Sequence, residues 1–171
     1  MTAPDRIEPG IVLVGGMRCG STSLFRHLGS HPDVHESAAK ETRFFDRNYE
    51  RGWDWYEERL GEPAPGTVVF EATPSYLVSP VALERLAVEL PAAQLIVTMR
   101  DPVERASSHY WMFRERGHED LELAEAFEAE LGRSTTTDAG LERRYLLGGM
   151  YGPQLRQLLE LFPAEQVHAV A

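Results

Sequence analysis

The 171-residue chain has one cysteine, Cys19, and one lysine, Lys40. A lone cysteine excludes an internal disulfide framework, and no Cys/His group has the spacing of a zinc site. No apolar run is long enough to span a bilayer and no signal peptide opens the chain, which together predict a cytoplasmic protein without a membrane span. Internal repeats and low-complexity tracts are missing as well. The scarcity of lysine leaves positive charge almost wholly to arginine. Acidic residues outnumber Lys and Arg by 27 to 17, for a formal net charge of −10. That balance disfavours nucleic acid as a partner and gives no general attraction for a polyanion, so any anion binding rests on local basic residues. Hydrophobic residues at 43% and charged residues at 26% suit a globular chain of one domain.

What the chain does have is concentrated between Ile11 and Leu28, IVLVGGMRCGSTSLFRHL. Ile11 to Val14 is a short β-branched run that suits a strand buried on both faces of a parallel sheet. Gly15, Gly16 and Gly20 then permit a tight loop, and Ser21, Thr22 and Ser23 are placed to cap a helix and to offer hydroxyls to an anion. A strand, a glycine-rich turn and a helix N-terminus in that order form a phosphate cradle, the alternative being a plain turn with no ligand. The spacing from Gly15 to Gly20 matches a P-loop, but Ser21 stands where a nucleoside triphosphatase carries lysine. The cation sits inside the loop instead, at Arg18, and Cys19 beside it is either a space filler or a reactive thiol.

The rest of the chain predicts alternating strands and helices. Residues 1–10 form a leader, and the helix from Ser21 to Gly29 turns Leu24, Phe25 and Leu28 to the sheet. Residues 31–46 show no clear period. A short helix with Trp53 and Tyr56 facing inward follows, then a second strand from Thr67 to Ala72. Ser79 and Pro80 open a crossover helix with Leu83, Leu86, Ala87 and Leu90 at helical spacing. Gln94 to Met99 is a third buried strand and delivers Arg100 at its C-terminal end, where open α/β sheets bind ligands. Asp101 and Pro102 start the next helix, in which Ser108 lies eight residues beyond Arg100. An acidic helix over 119–131 presents Leu123, Phe127 and Leu131, and the polar segment 132–140 is a candidate mobile loop. Leu155, Leu158, Leu159 and Phe162 line a last helix, and Val167 to Ala171 forms a fourth strand.

Four segments carry a resemblance. GMRCGSTSL, from Gly16 to Leu24, resembles the 5′-phosphosulfate loop of sulfotransferases that use 3′-phosphoadenosine 5′-phosphosulfate, PAPS. KETRFFD, from Lys40 to Asp46, resembles the acceptor-side segment of carbohydrate sulfotransferases. EATPSY, from Glu71 to Tyr76, resembles the element E-K-T-P-x-Y, with Ala72 replacing the lysine. Arg100 with Ser108 resembles the motif that clasps the 3′-phosphate of the nucleotide.

On these segments the chain is identified as a member of the PAPS-dependent sulfotransferase family, nearest to the carbohydrate or heparan type and its soluble bacterial relatives. The resemblance implies an α/β, P-loop NTPase-like three-layer fold with a central parallel sheet flanked by helices. It also implies a domain over 11–171 whose C-terminal part is missing. Donor binding would fall to Arg18, Cys19, Gly20, Ser21, Thr22, Ser23, Arg100 and Ser108, and the acceptor side to Arg43, Asp46 and Tyr76. Glu41 would be the general base, with His109 and His35 as fallbacks, and Arg18 would occupy the place of the family's catalytic lysine. The implied reaction is in-line transfer of a sulfonate from PAPS, without a metal, to a small-molecule or glycan acceptor. The competing expectations are a noncatalytic nucleotide-binding domain, favoured by Arg18 and Ala72, and a P-loop nucleotide kinase.

Overall fold

The computed structural model describes residues 6–132 and 143–171. β1 (Ile11–Gly15) occupies the centre of a five-stranded sheet. The other strands are β2 (Val34–Glu36), β3 (Val68–Ala72), β4 (Gln94–Thr98) and β5 (Val167–Val170), in the order β2-β3-β1-β4-β5 and all parallel. The strand period of two divides the core. Val12, Val14, Val69, Leu95 and Val97 point to one face and Leu13, Phe70 and Ala72 to the other.

Helices cover both faces, which makes the three-layer α/β architecture expected from the sequence. α1 (Ser21–Gly29) packs Phe25, with Leu24 and Leu28 beside it, on one face. α2 (Trp53–Leu60), α3 (Pro80–Glu89) and α6 (Tyr151–Leu161) cover the other with Tyr56, Leu60, Leu83, Leu86 and Leu158. α3 starts as its sequence dictates, with Pro80 in its first turn and the Ser79 hydroxyl accepting from the Ala82 N–H. α4 (Pro102–Glu115) and α5 (Leu123–Leu131) form a smaller cluster around Tyr110, Ala126 and Tyr145.

Three expectations change. β2 lies inside the stretch that showed no period: with three residues and one partly buried valine it has no pattern of its own, and pairing with β3 creates it. The acidic helix begins at Leu123 rather than Glu119 because its first glutamates cap turns. Glu119 accepts from the backbone N–H groups of Asp120 and Leu121, and Glu122 forms a capping box with Glu125. Leu131, assigned to the apolar stripe, is 75% exposed. The expected mobile loop lies outside the described residues apart from Gly132.

Phe44 and Phe45 open a π-helical turn, Phe44–Asn48, and plug the core. Phe44 is 1% exposed and stacks on Tyr56 with ring centroids 4.3 Å apart. We expect Phe44→Ala to cost about 3–5 kcal/mol of unfolding free energy, measured by urea titration. A loss below about 1 kcal/mol would show that the turn is not anchored through this ring.

Candidate active site

A cavity of about 700 Å³ opens at the C-terminal end of the sheet. One wall is the loop after β1, through Met17, Arg18, Gly20, Ser21 and Thr22. Gly20 caps α1 in the left-handed region, with φ at 82°, which glycine tolerates best. The three hydroxyls expected to cap α1 do not do so. The first helical bond runs from the Leu24 N–H to the Gly20 carbonyl, so the N–H groups of Ser21, Thr22 and Ser23 have no acceptor among the described residues. A helix end left open in this way carries partial positive charge toward the cavity.

The end of α4 is built differently. Asp101 accepts from the Val103 and Glu104 N–H groups at 3.0 Å each, so its own carboxylate neutralises this helix end. Cationic character there comes from side chains. Arg100 lines the cavity but donates to Glu104 at 2.8 and 3.0 Å, while Ser108 accepts from the Arg18 Nε at 3.1 Å. Arg100 and Ser108 thus share one cavity without touching each other. An exposed ion pair such as Arg100–Glu104 contributes only about 0–1 kcal/mol, a small barrier to redirecting the guanidinium toward an anion.

The opposite wall holds Glu41, Arg43 and Pro74. Glu41 is exposed, and among the described residues its one polar contact is with the Lys40 ammonium at 3.4 Å. Arg43 has φ at 52° and Arg18 at 68°, so among the described residues the two non-glycine residues in the left-handed region are both cavity arginines. Such backbone is held only where its surroundings over-determine it. For Arg43 they do: its N–H donates to the Thr73 hydroxyl, and the Asn48 amide donates to its carbonyl.

Several expected site residues stand behind these walls. The Cys19 Sγ lies 3.4 Å from the Tyr151 hydroxyl, and Ser23 is exposed outside the lining. Asp46 is turned under the wall that holds Glu41 and Arg43, where it accepts from Ser75 at 2.7 Å, and burial raises its pKa. Tyr76 is fully buried, its hydroxyl 3.2 Å from that of Thr42, so it belongs to the framework and not to the lining. The fallback bases do not reach the cavity either. His109 is fully buried against Phe113 and Tyr145, and His35 bonds the Leu60 carbonyl.

Sequence reasoning missed Met112, Phe113, Arg116, His118 and Arg143, which complete the lining. The signal for two of them was there, since Arg116 and His118 are basic residues just past α4 in an acidic chain. With them the described part of the lining carries five arginines and one histidine against the single carboxylate of Glu41. The cavity is positive although the chain is not.

Beneath the same wall lies Glu71, fully buried, with hydroxyls of Thr73 and Thr42 donating to its Oε1 at 2.5 and 3.1 Å. Its Oε2 has no partner among the described residues. Burial raises its pKa from 4.5 to about 7, with the two threonine hydroxyls opposing. A carboxyl with a raised folded-state pKa costs nothing below about 4.5, and the cost grows until it is complete above about 7. Glu71→Gln should therefore gain stability relative to wild type as pH rises through that window, by on the order of 3 kcal/mol. Urea melts of both proteins across the window test this. A difference that does not vary with pH would mean that Glu71 is charged throughout.

Comparison with known proteins bears on this geometry. A model described as "Sulfotransferase domain" matches residues 8–171. The human heparan sulfate glucosamine 3-O-sulfotransferase 3B1 is 31% identical over 159 residues, 93% of this chain and 40% of that protein. The human bifunctional heparan sulfate N-deacetylase/N-sulfotransferase 1 is 30% identical over 171 residues, 93% of this chain and 19% of that protein. The chain thus spans two-fifths or less of these relatives. A crystal structure of a sulfotransferase from Alicyclobacillus acidocaldarius is similar with a TM-score of 0.85 and 28% identity, over 95% of this chain and 72% of that one. Since the family match runs from just before β1 to the last residue and the solved relative shares the fold, the chain belongs to the sulfotransferase domain family.

Proposed function

We propose that the protein transfers a sulfonate group from PAPS to a hydroxyl or amine of an acceptor, releasing adenosine 3′,5′-bisphosphate. One observation carries the reading: the open loop and α1 end, the Arg100 and Ser108 pair, and Glu41 all line one positive cavity. Its volume of about 700 Å³ suits a nucleotide, and its donors match the two anionic ends of PAPS. When bound, PAPS supplies an electrophilic sulfur with a phosphate as its leaving group.

The chain's own residues supply the rest. The N–H groups of Ser21 and Thr22 stabilise the negative charge that gathers where the leaving phosphate departs. Arg18 stays charged at any working pH, so it contributes charge and directed hydrogen bonds but no proton. Glu41 accepts the acceptor's proton as the new oxygen–sulfur or nitrogen–sulfur bond forms and the bridging oxygen keeps the electron pair of the bond that breaks. Arg43, which pairs with Asp46 at 3.5 Å, lines the cavity together with Arg116, His118 and Arg143, and this set favours an anionic acceptor. A glycan is the class named in the relatives. The single unpaired cysteine suits a cytoplasmic setting, and no described helix is long and apolar enough to cross a membrane. A noncatalytic nucleotide-binding domain is the second reading, supported by Arg18 and by Ala72, which is fully buried and contributes no cation.

Glu41→Gln keeps the shape of the site and removes its base. Transfer should fall by ~10²-fold or more while affinity for adenosine 3′,5′-bisphosphate hardly changes. Undiminished turnover would remove Glu41 from the mechanism, and no transfer by either protein despite binding would favour the second reading. Arg100→Ala should weaken adenosine 3′,5′-bisphosphate by roughly 10- to 100-fold and leave AMP nearly untouched, by calorimetry. Equal losses for both ligands would deny Arg100 a 3′-phosphate role.

A further inference from the structure

Arg105 sits in α4 and is the largest fully buried side chain among the described residues, at 0% exposure. A guanidinium keeps its charge at neutral pH, even though burial lowers its pKa. Burying such a charge costs several kcal/mol unless it is well paired, and an apolar residue of similar volume often does as well. Yet among the described residues Arg105 makes no ion pair. Its guanidinium donates to three neutral acceptors: the Tyr145 carbonyl, the Met17 carbonyl at 3.4 Å and the His109 Nδ1 at 3.4 Å. Glu130, the carboxylate acting on it, is engaged by the N–H groups of Leu146 and Leu147.

The place of this charge is informative. Met17 belongs to the loop after β1 and lines the cavity. Across the trans peptide between Met17 and Arg18 the carbonyl and the N–H point in opposite directions. With the Met17 carbonyl drawn back to Arg105, the Arg18 N–H is turned away from Arg105, and it has no acceptor among the described residues. The surrounding fold makes room for the guanidinium. A Cβ on Gly148 would lie 2.7 Å from the Arg105 Nη1, so the chain at Leu147–Gly149 approaches as only glycine allows.

We propose that Arg105 is a positioning residue of the donor site: a buried guanidinium that braces the phosphosulfate loop from behind through Met17, fixes it to the Tyr145–Gly149 segment, and holds the loop's N–H groups toward the anion. The proposal deepens the donor assignment above and rests on it. It uses the planar fork of arginine. A lysine keeps the charge but lacks that fork and concentrates its donors on one atom, so it restores the role only in part.

The test measures calorimetric affinity for adenosine 3′,5′-bisphosphate and AMP, donor and acceptor KM, and Tm for wild type, Arg105→Met, Arg105→Lys and Gly148→Ala. Arg105→Met should lose about tenfold or more in affinity for both nucleotides, because the loop serves the 5′ side. Donor KM should rise with acceptor KM unchanged, and Arg105→Lys should fall between Arg105→Met and wild type. A purely structural role lowers Tm and leaves the affinity of the folded protein intact, and that result overturns the proposal. If Arg105→Met does not fold, Gly148→Ala decides: it displaces the guanidinium while keeping its charge, and an unaltered donor affinity overturns the proposal. Wild-type protein that binds AMP and adenosine 3′,5′-bisphosphate equally overturns the 3′-phosphate assignment, and Arg105 is then judged on AMP. Wild-type protein that binds neither overturns both.

Discussion

Two hydrogen bonds between neighbouring strand ends hold the site together. The Gly16 N–H donates to the Thr98 carbonyl at 2.6 Å, and the Thr98 hydroxyl donates to the Gly15 carbonyl at 2.9 Å. They lock the loop leaving β1 to the end of β4, the strand that delivers Arg100. Parallel order alone sets strand ends side by side, but it does not fix the conformation of what leaves them. The register shifts between Leu13 and Gly15, so the side-chain bond of Thr98 meets backbone that has already left the regular ladder. Tyr151 adds a third tie, accepting from the Arg100 N–H at 3.3 Å while its hydroxyl lies against the Cys19 Sγ. Two motifs more than eighty residues apart thus act as one surface.

The wall that holds Glu41 and Arg43 is held by other means. Arg43 and its neighbours leave no regular strand, so their backbone groups depend on buried side chains. Glu71 holds the hydroxyls of Thr42 and Thr73, Thr73 takes the Arg43 N–H, and Tyr76 takes the Phe45 N–H. A buried carboxyl is costly, and here its return is orientation rather than stability. Glu41 protrudes from the rim of this framework into the cavity.

Much of this was legible because the relevant signals are local. The run Ile11–Val14 with its glycines, Ser79 with Pro80, and Asp101 with Pro102 each encode an element boundary within a few residues. What escaped was made by partners distant in sequence. β2 exists through β3, and Arg116, His118 and Arg143 become a site only when the fold turns them to one cavity. Arg105 and Ser108 lie three residues apart on one helix, yet one is buried and the other faces the cavity, and no periodicity distinguishes an arginine that faces protein from one that faces water. Tyr76 and Asp46 show the converse. A matching motif placed them at the acceptor, but a motif preserves a framework residue as readily as a lining one.

Net charge also says less than composition suggests. At about 0.1 M salt a charge is screened over roughly 10 Å, so a bound anion responds to the residues around it and not to the sum over the chain. Among the described residues that local set in the cavity is five arginines and a histidine facing one glutamate, partly withdrawn from water and so less screened. The net charge of −10 opposes a polyanion lying along the outer surface, and it does not oppose an anion that enters the cavity. An acidic chain can therefore hold a locally positive cavity by concentrating arginines in it, and arginine suits that arrangement because its fixed charge and forked donors survive partial burial.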